Sequence, residues 1–173
     1  MPRNVEIKAR VPDMAALRIR AAAIADSGPE LIEQDDTFFR CAHGRLKLRA
    51  FASGHGELIA YERPDATGPK TSDYRITPTA DPDSLRETLT RSLGQIGRVV
   101  KRRTLFLVGA TRIHLDEVEQ LGDHLELEVV LRDDESAADG EAVARELLER
   151  LQVSPEQLIA GAYLDFIRAK SSS

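Results

Sequence analysis

The chain has 173 residues, 42% of them hydrophobic and 31% charged, which is the composition of an ordinary folded domain and not of a disordered segment. That length suits one domain with a proper core and is short for two. A net charge of −5 argues against a general nucleic-acid binder, and no apolar run approaches the roughly 20 residues that would cross a bilayer.

The opening MPRNVEIKARV reads as a strand at once, alternating apolar and charged from Val5 to Val11, and it lacks the apolar stretch of a signal peptide. The single cysteine, Cys41, has no partner for an internal disulfide and is expected to be inert, so the expected location is the cytoplasm. Pro12 and Asp13 open an alanine-rich helix that is predicted to run to about Ala25 and to stop at Ser27, Gly28 and Pro29. Strands are predicted at Leu31–Cys41, Arg45–Phe51, Glu57–Arg63 and Ser72–Thr77, with turns at His43-Gly44 and Ser53-Gly54-His55-Gly56. The loop from Pro64 to Ser72 is the longest irregular stretch and the expected mobile lid. Asp81 ahead of Pro82 announces a second helix, striped by Leu85, Leu89 and Leu93 and ended by Gly94 and Gly97. Further strands follow at Arg98–Val108, Thr111–Val118 and His124–Leu131, then a helix over Ala138–Leu151 and a helical coda from Pro155 to Ala169. The trailing Ser171, Ser172 and Ser173 are expected to fray, leaving a single domain over residues 1–170.

Alternate residues of a strand share a face. Glu6, Lys8 and Arg10 therefore oppose Val5, Ile7 and Ala9, and Arg45, Lys47 and Arg49 oppose Leu46 and Leu48. Arg112, His114 and Asp116 oppose Ile113 and Leu115, while Glu126 and Glu128 oppose Leu125, Leu127 and Val129. A sheet with one face in water would produce such alternation too. A solvated face, however, usually mixes Thr, Ser and Gln with Lys, whereas these faces are nearly all Arg, Lys and Glu. With about eight strands predicted, the pattern indicates an α+β fold built on a closed antiparallel eight-stranded β-barrel, its interior charged and its apolar outside covered by helices.

A lumen with cations on some walls and carboxylates on others suits a triphosphate with its metal ions. Arg and Lys neutralise the phosphate oxygens, with Arg able to do so at two points. Carboxylates would repel the ligand unless they hold divalent cations that bridge to it. Glu126 and Glu128 are spaced to share or flank a metal, and Glu6 and Asp116 are candidates to complete the set. Carboxylate ligands suit Mg²⁺ and Mn²⁺ alike.

Asn4-Val5-Glu6-Ile7-Lys8 resembles the E-x-E-x-K opening of the CYTH family, the triphosphate tunnel metalloenzymes. Lys47-Leu48-Arg49 is similar to that family's R-x-R strand, and Lys101-Arg102-Arg103 to its later K-x-R. The most specific piece runs from Asp116-Glu117-Val118 through Leu121-Gly122 to Glu126-Leu127-Glu128 and resembles the block D-x-V-x-x-L-G-x-x-x-E-x-E. Asn4 departs from the signature, standing where its first glutamate belongs.

The resemblance implies that Glu6, Glu126 and Glu128 are metal ligands with Asp116 a further one, and that the cofactor is Mg²⁺ or Mn²⁺. It implies phosphate contacts from Lys8, Lys47, Arg49, Lys101, Arg103 and Arg112, and less directly from Arg10. Relatives carry a tunnel lysine just before the proline matching Pro64. Glu62 and Arg63 compete for that role here, charge favours Arg63, and Lys70 and Arg75 are its supports. Lys8, Arg63 and Asp116 are the catalytic candidates. His114 and His124 are expected to be structural, and Tyr61 and Tyr74 either flank a base or pack.

The implied reaction is that of a class IV adenylate cyclase, ATP to cyclic AMP and pyrophosphate. A triphosphatase is the alternative, and a module that binds nucleotide or polyphosphate without turnover is an alternative of another class. Thiamine triphosphate fits less well, because the chain has no Trp to stack on its rings. The expected partner is a nucleoside triphosphate or another triphosphate, with no nucleic acid and no membrane, and a homodimer stays open.

Overall fold

A computed structural model describes residues 3–62 and 67–172. Arg63, Pro64, Asp65 and Ala66 lie outside the described residues, and with them the tunnel-arginine expectation and the first part of the expected lid.

In chain order, β1 (Arg3–Arg10) leads to α1 (Met14–Ile24), which Asp13 caps by accepting a hydrogen bond from the Ala16 amide at 3.0 Å. Four strands follow, β2 (Ser27–Phe39), β3 (Arg45–Phe51), β4 (Gly56–Glu62) and β5 (Lys70–Thr79). Helix α2 (Pro82–Leu93) begins with Asp81 as cap and Pro82 in its first turn, and it stops at Gly94, whose φ of 79° only glycine adopts readily. Strands β6 (Gln95–Val108), β7 (Thr111–Val118) and β8 (Gly122–Leu131) precede α3 (Ala137–Arg150), started by a reciprocal Ser136–Asp139 capping box.

The expected helical coda from Pro155 is broken. A 3-10 turn at Pro155–Gln157 gives way to β9 (Leu158–Ile159), and α4 (Tyr163–Ser171) starts only after Gly161, which turns the chain at φ 89°. The break occurs because Leu158 and Ile159 pair with Ala9 and Lys8 and extend the sheet, which a helix there could not do. Helix α4 runs through Ser171, whose hydroxyl donates to the Ile167 carbonyl.

The strands follow one another in the order β5-β4-β3-β2-β6-β7-β8-β1, every pair antiparallel, and β5 returns to β1 through Arg3↔Asp73 to Glu6↔Lys70. Eight strands thus close the barrel, and the short β9 takes over the free edge of β1 beyond β5. Closure removes the exposed sheet edge.

The hydrophobic core lies outside the barrel wall. Val5, Ile7 and Ala9 of β1 and Leu125, Leu127 and Val129 of β8 pack with Leu17 and Ala21 of α1 and with Ala144, Leu147 and Leu148 of α3. Each fully buried aliphatic side chain contributes roughly 1.5–3 kcal/mol, so the helices are held by the strand faces that point away from the lumen. A second cluster joins Phe38, Val99 and Val118 to Tyr163, Leu164 and Ile167, seating α4 across one end of the barrel. The other parity of the barrel strands faces inward, and on β1, β2, β3, β6, β7 and β8 that face carries charge.

Candidate active site

The lumen is a cavity of about 340 Å³. Asn4, Glu6 and Lys8 reach it from β1, Gln34 and Asp36 from β2, Lys47 and Arg49 from β3, and Lys101 and Arg103 from β6. Arg112 and His114 enter from β7, Glu126 and Glu128 from β8, and Tyr163 from the start of α4. The cavity has a closed end and an open one. Lys8, Lys101 and Tyr163 are buried, whereas the Arg112 side chain is 46% exposed and Ile76 is 45% exposed. Ile32, Phe51, Ile76 and Leu105 add apolar wall beside the charges.

Two charge clusters fill the lumen. In the first, the Asp36 carboxylate is buried among three cations. Arg49 donates to it at two points, both 2.8 Å, Lys47 donates at 3.1 Å, and Lys101 lies at 3.4 Å. Burial opposes ionisation of Asp36, but Arg49, Lys101 and Lys47 together hold its carboxyl well below the usual range. The same crowding acts on the lysines. Burial and the Arg49 charge bring Lys47 down to about 8, and burial with the Arg103 and Arg49 charges brings Lys101 down to about 7, although Asp36 favours the charged form of both.

In the second cluster, Glu126 meets Lys8 at 3.3 Å, Arg103 at 3.4 Å and the His114 Nδ1 at 3.4 Å. Arg103 is itself clamped by Asp116 at 2.7 and 2.8 Å, and the Tyr163 hydroxyl donates to the same carboxylate at 2.8 Å. Burial works against the Glu126 charge, yet Lys8, His114 and Arg103 keep that carboxyl well below its ordinary value. Burial and the Arg103 charge push His114 below the usual histidine range, favouring the neutral imidazole. Nearer the mouth, Arg112 donates to Glu128 at 2.9 Å. The Lys8 ammonium sits 4.1 Å above the Tyr163 ring, a cation–π contact at the closed end.

The cavity therefore gathers Glu6, Lys8, Lys47, Arg49, Lys101, Arg103, Arg112, Glu126 and Glu128 from the residues proposed on sequence. Arg10, Lys70, Arg75 and Asp116 are not among its described lining residues. Arg10 is exposed at the end of β1. Arg75 is exposed because it alternates with the inward Tyr74 and Ile76. Lys70 is buried opposite Glu6 in the β1–β5 ladder, on the same parity of β5 as the lining residues Ser72 and Tyr74. Asp116 is buried on the inward parity of β7 with Arg112 and His114, and its oxygens are taken by the lining residues Arg103 and Tyr163.

Among the described residues, His114, Glu126 and Glu128 form a group that could hold a divalent cation, with one ligand atom from each lying within 4.8 Å of the others. Ligand distances of about 2.1 Å from an ion to the imidazole nitrogen and the carboxylate oxygens would require the side chains to draw together around it. Glu6 lines the cavity but is not part of that group. Asn4 and Gln34 also line the cavity, and the Asn4 Oδ1 and Gln34 Oε1 are buried and accept no hydrogen bond from the described residues.

Sequence reading passed over Asp36, Gln34 and Tyr163, and it expected His114 to be structural, whereas its ring lines the cavity beside Glu126. The parity of Asp36 was hidden in the unbroken polar run Glu33-Gln34-Asp35-Asp36. Asp35, one step away, faces out and pairs with Arg98. Tyr163 arrives from a helix remote in sequence, and no strand pattern points to it.

The fold is shared with solved structures. PH1012 protein from Pyrococcus horikoshii superposes with a TM-score of 0.83 at 22% identity, over 94% of this chain and 98% of that one. HpAC1 from Hippeastrum, described as having a dominant triphosphatase activity, superposes with a TM-score of 0.68 at 16% identity, over 98% and 96%. In sequence, the chain is 28% identical over 172 residues to adenylate cyclase CyaB of Aeromonas hydrophila, covering 92% of this chain and 86% of that protein. The profile of the CYTH domain matches residues 2–163, so with a charged closed barrel already in place, the chain belongs to the CYTH family.

Proposed function

We propose that the protein is a metal-dependent enzyme that takes a nucleoside triphosphate into the barrel and, in the manner of a class IV adenylate cyclase, converts ATP to cyclic AMP and pyrophosphate. The observation that carries this reading is the apolar wall of Ile32, Phe51, Ile76 and Leu105 in the same cavity as the buried cations, because inorganic triphosphate has nothing to place against it. The 28% identity to adenylate cyclase CyaB supports the same reaction.

In this reading Lys8, Lys47, Arg49, Lys101, Arg103 and Arg112 hold the phosphate oxygens. Arg103 is kept in line by Asp116. A triphosphate entering the lumen replaces Asp36 as partner of Lys47, Arg49 and Lys101 and draws Lys8 and Arg103 from Glu126. Glu126 and Glu128 are then free for a divalent cation, Mg²⁺ or Mn²⁺, with Glu6 beside them. When bound, that ion supplies charge stabilisation at the attacked phosphorus. The buried lumen strengthens each of these contacts relative to water. Arg63 remains the proposed tunnel cation, with Lys70 and Arg75 as its supports. We place the protein in the cytoplasm, on the strength of one unpaired cysteine and, among the described residues, no helix long and apolar enough to cross a membrane.

Triphosphatase activity is the second reading, supported by the dominant triphosphatase activity of HpAC1 on the same fold. The deciding experiment incubates the purified protein with ATP and Mg²⁺ or Mn²⁺ and resolves the products, with Glu126→Gln alongside. Cyclic AMP with pyrophosphate, lost in the variant, is the expected result. ADP with orthophosphate would move the protein to the triphosphatases, and bound but unaltered ATP would leave a binding module.

A further inference from the structure

We propose that His114 is a ligand of the bound cation, and that its imidazole makes this cavity select a first-row transition ion such as Mn²⁺ over Mg²⁺. The inference rests on the proposed reading of Glu126 and Glu128 as cation ligands and goes beyond it by naming a nitrogen ligand and its consequence.

The register of the barrel places the imidazole. His114 and Glu126 are direct partners across β7 and β8, and Arg112 and Glu128 are partners two residues on, so His114, Glu126 and Glu128 converge from adjacent strands. One ligand atom from each falls within 4.8 Å of the other two. His114 is only 4% exposed and looks into the cavity, not out of the wall. A purely structural histidine would satisfy itself on the backbone or outside the lumen. His124, one inward position along from Glu126, does this by meeting the Gly122 carbonyl at 3.1 Å. His114 instead has its Nδ1 beside the carboxylate that a cation would share.

A second observation lies in the same lumen. The Asn4 Oδ1, 2% exposed at the level of its residue, accepts no hydrogen bond from the described residues, and Asn4 stands one inward step from Glu6, the partner of Glu128. A neutral amide oxygen without a donor is suited to a cation or its bound water.

The chemistry of this set favours one class of ion. Mg²⁺ is small and hard and takes oxygen ligands and water in an octahedral shell. The gain from an imidazole nitrogen starts small at Mn²⁺ and grows toward the later first-row ions, whereas Mg²⁺ keeps to oxygen ligands. Here one nitrogen joins two carboxylates beside a neutral amide, and the nitrogen is the ligand that separates the two classes of ion.

The test is pulsed electron paramagnetic resonance on Mn²⁺ bound to the full chain, alone and with inorganic tripolyphosphate, a probe that contains no nitrogen. We expect nitrogen modulation of the Mn²⁺ signal that changes on ¹⁵N-labelling of histidine in the unmutated protein and disappears in His114→Gln. In competition, Mg²⁺ should displace Mn²⁺ from the unmutated protein only at roughly tenfold excess or more, and from His114→Gln at about equal concentration. The isotope experiment needs no variant, so a poorly folding substitution would not blunt it. Bound Mn²⁺ without histidine coupling, equal competition by Mg²⁺ in the unmutated protein, or no Mn²⁺ binding would each overturn the inference. A protein that makes cyclic AMP but shows no coupling keeps the proposed function and loses the ligand. A protein with coupling and no turnover does the reverse.

Discussion

Arg103 and Asp116 form a buried two-point ion pair, Nε to Oδ1 at 2.7 Å and Nη2 to Oδ2 at 2.8 Å, with neither side chain more than 6% exposed. The two residues are partners across β6 and β7, and the Tyr163 hydroxyl closes the remaining approach to the carboxylate. Burial disfavours both charges, but each raises the other's tendency to stay ionised, holding Asp116 below and Arg103 above their ordinary values. Asp116→Asn would take away the two-point partner of the buried guanidinium and leave it only the longer contact to Glu126 at 3.4 Å. Breaking a buried pair from one side costs about 3–5 kcal/mol, so the variant should unfold at markedly lower urea concentration. Its phosphate affinity should fall as well, because Arg103 loses its orientation. An Asp116→Asn protein with unchanged stability and unchanged tripolyphosphate affinity would contradict the positioning role.

Asp36 presents the opposite case, a carboxylate standing where the ligand is expected. Asp36→Asn leaves Lys47, Arg49 and Lys101 facing one another without an anion. The free variant should be less stable by about 3–5 kcal/mol. Tripolyphosphate supplies the missing charge, so it should raise the melting temperature of the variant more than that of the parent at equal saturation. Differential scanning calorimetry with and without tripolyphosphate measures both effects, and an equal ligand-induced rise in the two proteins would count against the counter-ion reading.

Ligand binding should take up protons near neutral pH. In the free protein Lys101 titrates at about 7 and Lys47 at about 8, both below the ordinary 10.5 of an unfolded chain. Between those values and 10.5 the unfolded chain holds protons that the folded one has released, so these groups make the free protein more stable as pH rises through that window. A bound triphosphate favours the ammonium forms and draws the protons back. Titration calorimetry at pH 8 in buffers of different ionisation enthalpy should therefore show uptake, and affinity should weaken toward pH 9. Lys101→Arg, charged throughout, should show less uptake. Equal uptake in parent and variant would remove Lys101 from this account.

Gly140 tests the packing that holds the barrel wall without touching the site. A Cβ there would come within 2.7 Å of both the Val5 Cγ2 and the Leu131 Cδ2, because α3 lies directly on β1 and β8. Overpacking of this kind costs about 1–3 kcal/mol, against which better helix propensity returns about 1 kcal/mol. Gly140→Ala should therefore lower the urea midpoint with little change in triphosphate affinity. A midpoint at or above that of the parent would show that the helix can shift freely.

The strands and their two faces were legible in the sequence, because a period of two is a local property that backbone geometry imposes. Arg45–Phe51 and Thr111–Val118 are found at the positions the alternation predicts. The charged parity of Lys8, Lys47, Arg49, Glu126 and Glu128 pointed to a lumen before any strand was paired. Periodicity does not carry depth or closure. Arg10 and Arg75 share the composition of the lining residues, yet they stand outside the cavity, because one sits at a strand end and the other on the outer parity of β5.

What only the tertiary structure decided is which charges meet. Asp36 reaches Lys101 from 65 positions away, and Tyr163 reaches Asp116 from 47 positions away, because barrel closure and the seating of α4 bring distant walls together. The energies follow from that meeting. A carboxylate and an ammonium are each costly to bury alone and become tolerable only as partners, and partnership is a property of the closed fold.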